Sequence, residues 1–171
     1  MIHLRNPGRR IAFTSAALAF AVGLGGCTAL DAFSGTLEPA RDDDTQEVVE
    51  GGQADVFTLE VGDCLNESTG SEVTEVPVVP CSELHDEEIY FEFTLPDGAF
   101  PGADAMVAAA DEQCAPQFDV FVGMAYADST LDWYPFTPTE QGWDEGDDRV
   151  IQCVVWDPAG QVTGTLAGAA R

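Results

Sequence analysis

Apolar and polar residues alternate over Ile89-Tyr90-Phe91-Glu92-Phe93-Thr94-Leu95. This predicts a strand that buries Ile89, Phe91, Phe93 and Leu95 and stops at Pro96-Asp97-Gly98. Val56 to Val61 alternates in the same way, with Phe57, Leu59 and Val61 on one face. The turn signal Glu67-Ser68-Thr69-Gly70-Ser71 leads from there into an extended run, Val73 to Val79, in which Pro77 and Pro80 suggest a sheet edge. Arg149 to Asp157 reads as a buried strand, with Ile151, Cys153 and Val155 on one face and Val150, Val154 and Trp156 on the other. Val162 to Leu166 follows as a last edge strand. Helical spacing is clear only in the alanine-rich segment Ala103 to Ala115, where Val107, Ala110 and Cys114 form a stripe continued by Phe118 and Phe121. Pro116 is expected to break or restart that helix. The sum is a small α+β domain, a mostly antiparallel sheet with one main helix packed on a face.

The N-terminus follows a different logic. Arg5, Arg9 and Arg10 precede an uncharged apolar stretch, Ile11 to Gly26, and then Leu24-Gly25-Gly26-Cys27 has the form of a bacterial lipobox. The apolar run is short for a membrane span, which needs about 20 residues, and its end is rich in glycine. The expected organisation is a lipoprotein signal peptide over residues 1–26, a lipid-anchored acidic disordered tether over 27–54 with Cys27 lipidated, and an extracytoplasmic domain over 55–171. Two acyl chains on Cys27 would hold the chain to the membrane.

Charge sharpens this picture. The 171 residues include 31 acidic and six basic ones, for a net charge of −25. Every acidic residue lies beyond residue 26, but only Arg41, Arg149 and Arg171 of the basic ones do, so the processed chain would carry about −28. It would also contain no lysine. Such a surface has no means of neutralising phosphate, which excludes nucleic acid as a partner.

Cys64, Cys81, Cys114 and Cys153 form an even set in a chain expected outside the cytoplasm, where disulfides are the default. Three pairings are open. The strand reading favours Cys64–Cys81 across the turn and Cys114–Cys153 between helix and last strand, worth about 3 and about 4 kcal/mol by loop closure. Zinc is the poorer use, since no two cysteines are closely spaced and one histidine remains after residue 26.

Candidate chemistry is sparse. Ser82, His85 and Asp86 lie close in sequence, but nothing resembles a nucleophile elbow or an oxyanion loop, so no catalytic residue is assigned and no enzyme is expected. Asp144, Asp147 and Asp148 are weak calcium candidates that lack EF-hand spacing, and Asp42-Asp43-Asp44 reads as solvated charge. Arg149 is expected to pair with Asp147 or Asp148. Trp133, Tyr134, Phe136 and Trp143 fall in what reads as a Pro-rich connection and serve packing or a contact surface. His85, Trp143 and Arg149 stand as candidate interaction residues, and no cofactor is implied.

Several short motifs in order resemble the septum-formation domain of actinobacterial envelope proteins. Val61-Gly62-Asp63-Cys64-Leu65, Val76-Pro77-Val78-Val79-Pro80-Cys81, His85-Asp86 and Tyr90 resemble its opening. Cys114, Phe118 and Val122-Gly123 resemble its middle, and Pro138-Thr139, Trp143, Gly146-Asp147-Asp148-Arg149, Cys153 and Thr163-Gly164 its close. The resemblance covers about residues 55–168 and departs from the family at Leu84, Pro116 and the doubled Asp147-Asp148. It implies envelope or division-septum biology without catalytic residues or a ligand. The expectation is therefore a non-enzymatic lipoprotein on the outer face of the cell membrane whose domain binds an envelope or division protein. An extracellular small-ligand or calcium-binding module is the alternative, and an envelope hydrolase a third reading.

Overall fold

The computed structural model describes residues 38–68 and 74–171, so the expected signal peptide, Cys27 and the first part of the expected tether, residues 27–37, lie outside the described residues. Eight strands and two α-helices follow one another as β1 (Ala40–Arg41), β2 (Val48–Glu50), β3 (Gly52–Asp55), β4 (Cys64–Leu65), β5 (Glu75–Val79), β6 (Glu87–Thr94), α1 (Ala103–Val122), β7 (Asp132–Phe136), α2 (Glu140–Glu145) and β8 (Val150–Trp156). β1 and β2 make a separate two-stranded ribbon. The other six form one sheet in the order β3-β5-β4-β6-β8-β7, antiparallel at every pairing. The α+β architecture with a main helix on one face is as the pattern predicts.

Two apolar clusters sandwich the sheet. On the α1 side, Met106, Ala110, Cys114, Phe118 and Val122 pack with Tyr90, Leu131, Trp143, Ile151, Cys153, Val155 and Leu166. Those five helical positions recur every four residues, which keeps them on one face. Val107, expected on the stripe, is instead half exposed, and Met106 takes its place. On the opposite face Ala54, Leu59, Leu65, Val76, Val78, Ile89 and Val154 form the second cluster. β8 serves both, its alternate residues facing opposite ways as expected.

Pro116 does not break α1. The helix runs 20 residues through it, with the exposed proline on the solvent side. The cost is the missing amide bond to the Glu112 carbonyl. α1 ends at Gly123, whose left-handed φ of 77° lets its amide donate to the Asp119 carbonyl.

The strand expectations need four corrections. In β6 the ladder to β8 skips a residue between Ile89 and Phe91, so Tyr90 bulges. Ile89 consequently faces the second cluster while Phe91 and Phe93 face the helix, and the single alternation read from the sequence is really two. Val56 to Val61 is no strand: Asp55 caps a short 3-10 turn, Val56–Thr58, by accepting from the Phe57 amide, and Phe57 and Val61 are exposed while Leu59 is buried. β5 lies inside the sheet between β3 and β4 despite Pro77. The Pro77 carbonyl accepts from the Asn66 amide, so its missing N–H falls on the side where two-residue β4 has already ended. Val162 to Leu166 contributes a single bridge, Val162 to His85, rather than a strand.

The largest correction concerns the expected tether. Residues 38–54 belong to the folded body, so the domain begins well before residue 55. Asp42, the first of three consecutive aspartates, accepts from the Asp44 and Thr45 amides and closes the β1–β2 ribbon. Arg41 reaches the sheet and donates to both carboxylate oxygens of Asp63 at 2.6 and 2.7 Å. Asp63 is 2% exposed, and its Oδ2 also accepts from the Glu60 amide. Tertiary pairing overrides a composition that in isolation reads as disordered.

Candidate functional site

Both expected disulfides are present, Cys64–Cys81 with a Cα separation of 5.2 Å and Cys114–Cys153 with 5.8 Å. Their surroundings differ. Cys114 and Cys153 lie in the apolar cluster under α1, where the Tyr90 hydroxyl donates to the Cys114 carbonyl at 3.1 Å and burial pushes that phenol's pKa up. Cys64 is equally buried, but Cys81 is partly exposed and lines a cleft of about 590 Å³ with Glu47, Val61, Ser82, Glu88 and Thr165.

Behind that cleft lies a polar cluster. The Pro80 carbonyl accepts from the Glu83 amide, turning the chain into the bridge that His85 makes with Val162. The ring of His85 is fully buried, and its Nδ1 lies 3.0 Å from the Glu83 carbonyl. A carbonyl only accepts, so Nδ1 carries a proton. Nε2 has no hydrogen-bond partner. Glu88, placed on the helix side of β6, accepts from the Thr165 hydroxyl and from the Leu166 amide, each at 2.6 Å. Burial raises its carboxyl pKa, opposed by those two hydrogen bonds and by His85.

One ligating atom each from Cys64, His85 and Glu88 lie within 4.8 Å of one another, the one such three-residue group among the described residues. As the chain stands this is not a metal centre. The Cys64 sulfur is bonded to Cys81 rather than present as a thiolate, and both Glu88 oxygens are already engaged.

The other candidates take structural positions. Arg149 pairs with Asp147 at 3.2 Å, as one of the two expected partners, while its Nη1 donates to the Trp143 and Asp148 carbonyls. Its guanidinium also lies 3.9 Å from the Trp143 ring centroid, a cation–π contact that sequence does not reveal. Asp148 Oδ1 accepts from the Val150 amide, so of the three calcium candidates two are already partnered and Asp144 is exposed on α2. Of the candidate interaction residues, His85 and Trp143 have almost no surface and Arg149 has little. Trp133, Tyr134 and Phe136 do not lie in an irregular connection but in edge strand β7, and Trp143 is on α2, its indole N–H donating to the Gly98 carbonyl at 2.8 Å. Ser82, His85 and Asp86 form no hydrogen-bonded triad: Asp86 instead accepts from the Glu67 amide.

Sequence reasoning missed Arg41, Asp63 and Glu88. Asp63 and Arg41 carried a faint signal, one as a lone acid between apolar strand residues and the other as one of three cations beyond residue 26. Glu88 had none until the position of β6 was known. A second concavity, a groove of about 220 Å³, opens on the face away from α1 between Val56, Phe57, Phe136 and Val150. The side chain of Phe57 is among the most open apolar groups of the described surface, at 65%.

The sequence model of a family described as septum formation matches residues 39–170. The chain belongs to that septum-formation family. The match begins one residue before β1 and so includes residues 39–54 of the segment that composition assigned to a tether. No curated protein and no solved structure matches the chain.

Proposed function

We propose that this septum-formation protein is a non-enzymatic lipoprotein, anchored through Cys27 to the outer face of the cell membrane, whose domain binds an envelope or division protein. The family match over residues 39–170 supports the septal part of this reading. The lipobox ending at Cys27 supports the address. The partner surface is the groove beside Phe57, where an exposed aromatic ring stands next to a recess that also presents Glu92 and Asp148. A basic partner suits the acidic surface, because opposite charge accelerates encounter.

Localisation of the labelled full chain tests the proposal. Septal enrichment that survives in wild type and is lost in Phe57→Glu, with both proteins equally abundant in the membrane fraction, is the expected result. Uniform envelope staining of wild type would remove the septal role. Cys27→Ser is expected to release a folded protein to the medium, and its retention in membranes would remove the anchor.

A further inference from the structure

We infer that Cys64–Cys81 is an exchangeable disulfide, whose Cys81 sulfur takes a small thiol from the cleft while Glu88 protonates the departing Cys64. Three observations carry this. Cys81 lines an open cleft of about 590 Å³, whereas the other disulfide is buried at both cysteines. A carboxyl oxygen of Glu88 lies within 4.8 Å of the Cys64 sulfur. His85, one of whose ring nitrogens lies within 4.8 Å of that sulfur, is fully buried with its Nε2 unpartnered.

Thiol–disulfide exchange depends on access to the attacked sulfur and on how readily the other sulfur leaves. The incoming thiolate forms a bond to Cys81 Sγ as the bond between Cys81 and Cys64 breaks. The electron pair of that bond departs on Cys64, which takes the proton of the Glu88 carboxyl. The products are a mixed disulfide on Cys81, a Cys64 thiol and a Glu88 carboxylate that regains its proton from water in the cleft. A second equivalent of thiol then releases Cys81 as a thiol, the two equivalents leaving as their own disulfide. The freed Cys64 sulfur can pair with the His85 ring, so the reduced state can supply a partner to a buried side chain whose Nε2 lacks one in the oxidised state.

The charges around Glu88 set the choice of thiol. His85 faces it from the loop before β6, and Thr165 and Leu166 hydrogen-bond it from the C-terminal segment. Glu47 lines the same cleft, and Asp63 beside Cys64 is already neutralised by Arg41. Apart from the engaged Arg41, the charged groups at this cleft are carboxylates on a chain of net charge −25, so a cationic thiol is preferred over an anionic one.

The test uses the oxidised full chain carrying Cys27→Ser, so that no other cysteine thiol can exchange. It is treated with limiting cysteamine or glutathione, quenched by alkylation, and mapped by mass spectrometry. The expected product is cysteamine on Cys81 with Cys64 alkylated and Cys114–Cys153 intact. Cysteamine should react at least about tenfold faster than glutathione at low salt, with the two rates converging at high salt. Glu88→Gln should slow opening about tenfold or more without changing which sulfur is attacked. Adduct on Cys64, or opening of both disulfides together only under denaturing conditions, would overturn the proposal. An unchanged rate in folded Glu88→Gln would overturn the role of the acid. If Glu88→Gln does not fold, the wild-type mapping and the pair of thiols still decide the site.

Discussion

Replacing Arg41 with methionine removes the cation that neutralises a nearly inaccessible carboxylate while keeping most of the side-chain volume. Asp63 is 2% exposed and would be left charged against the sheet. Losing one partner of a buried ion pair costs about 3–5 kcal/mol. Here the lower end applies, because the Glu60 amide still donates to Asp63 Oδ2 at 2.9 Å and Arg41 itself is partly exposed. A loss of about 3 kcal/mol in a domain of this size lowers the melting temperature by roughly 10 °C. Thermal and urea unfolding of the full chain, followed by far-UV circular dichroism, would measure it. Adding Asp63→Asn in the same chain should recover a good part of the loss, since no uncompensated charge remains, and a double-mutant cycle should show coupling of at least about 1 kcal/mol. A melting temperature within 2 °C of wild type for Arg41→Met would refute the reasoning. It would return residues 38–50 to the status of a tether.

Three further outcomes are expected. Arg149→Lys should cost about 1–2 kcal/mol in urea unfolding, because a lysine cannot both stack on Trp143 and keep the paired carbonyl contacts, and Arg149→Ala should cost more. Pro116→Ala should stabilise by about 1–3 kcal/mol, since it restores an amide to the middle of an otherwise continuous helix at an exposed position. For Glu88 the folded pKa lies above the ordinary 4.5, so folding is unaffected by its charge below that pH; above it the unfolded chain ionises while the folded one keeps its proton, and stability falls until the folded group ionises as well. Wild type should therefore lose stability relative to Glu88→Gln as pH rises above 4.5 through the folded-state titration, and chemical denaturation across that window would show a flat difference if the assignment is mistaken.

How far the sequence could be read depended on whether a residue's role was local. The Cys114–Cys153 pairing followed from a helix and a strand whose periodicities were intact in themselves. Val56 to Val61 shows the opposite case: its alternation was genuine, but Asp55 offered the backbone a cap and the segment turned instead of pairing. β1 to β3 were invisible for another reason. They are only two to four residues long, too short to show a period, and they are held by distant partners, β3 by its ladder to β5 and the β1–β2 ribbon by Arg41 meeting an aspartate 22 positions away. The cleft beside Cys81 is assembled from the β1–β2 turn, the loop before β6 and the C-terminal segment, and so had no sequence motif to announce it.

The bulge at Tyr90 bears on how this chain should be compared with its relatives. Removing Tyr90 alone would join Ile89 to Phe91 as ordinary neighbours facing opposite ways, and every other β6 residue would keep its side of the sheet. Removing a neighbour within β6 would instead shift the register across the sheet. Members of the family that differ in strand length here should therefore place their gap at position 90. Those that do should also lack the hydroxyl that meets the carbonyl of Cys114.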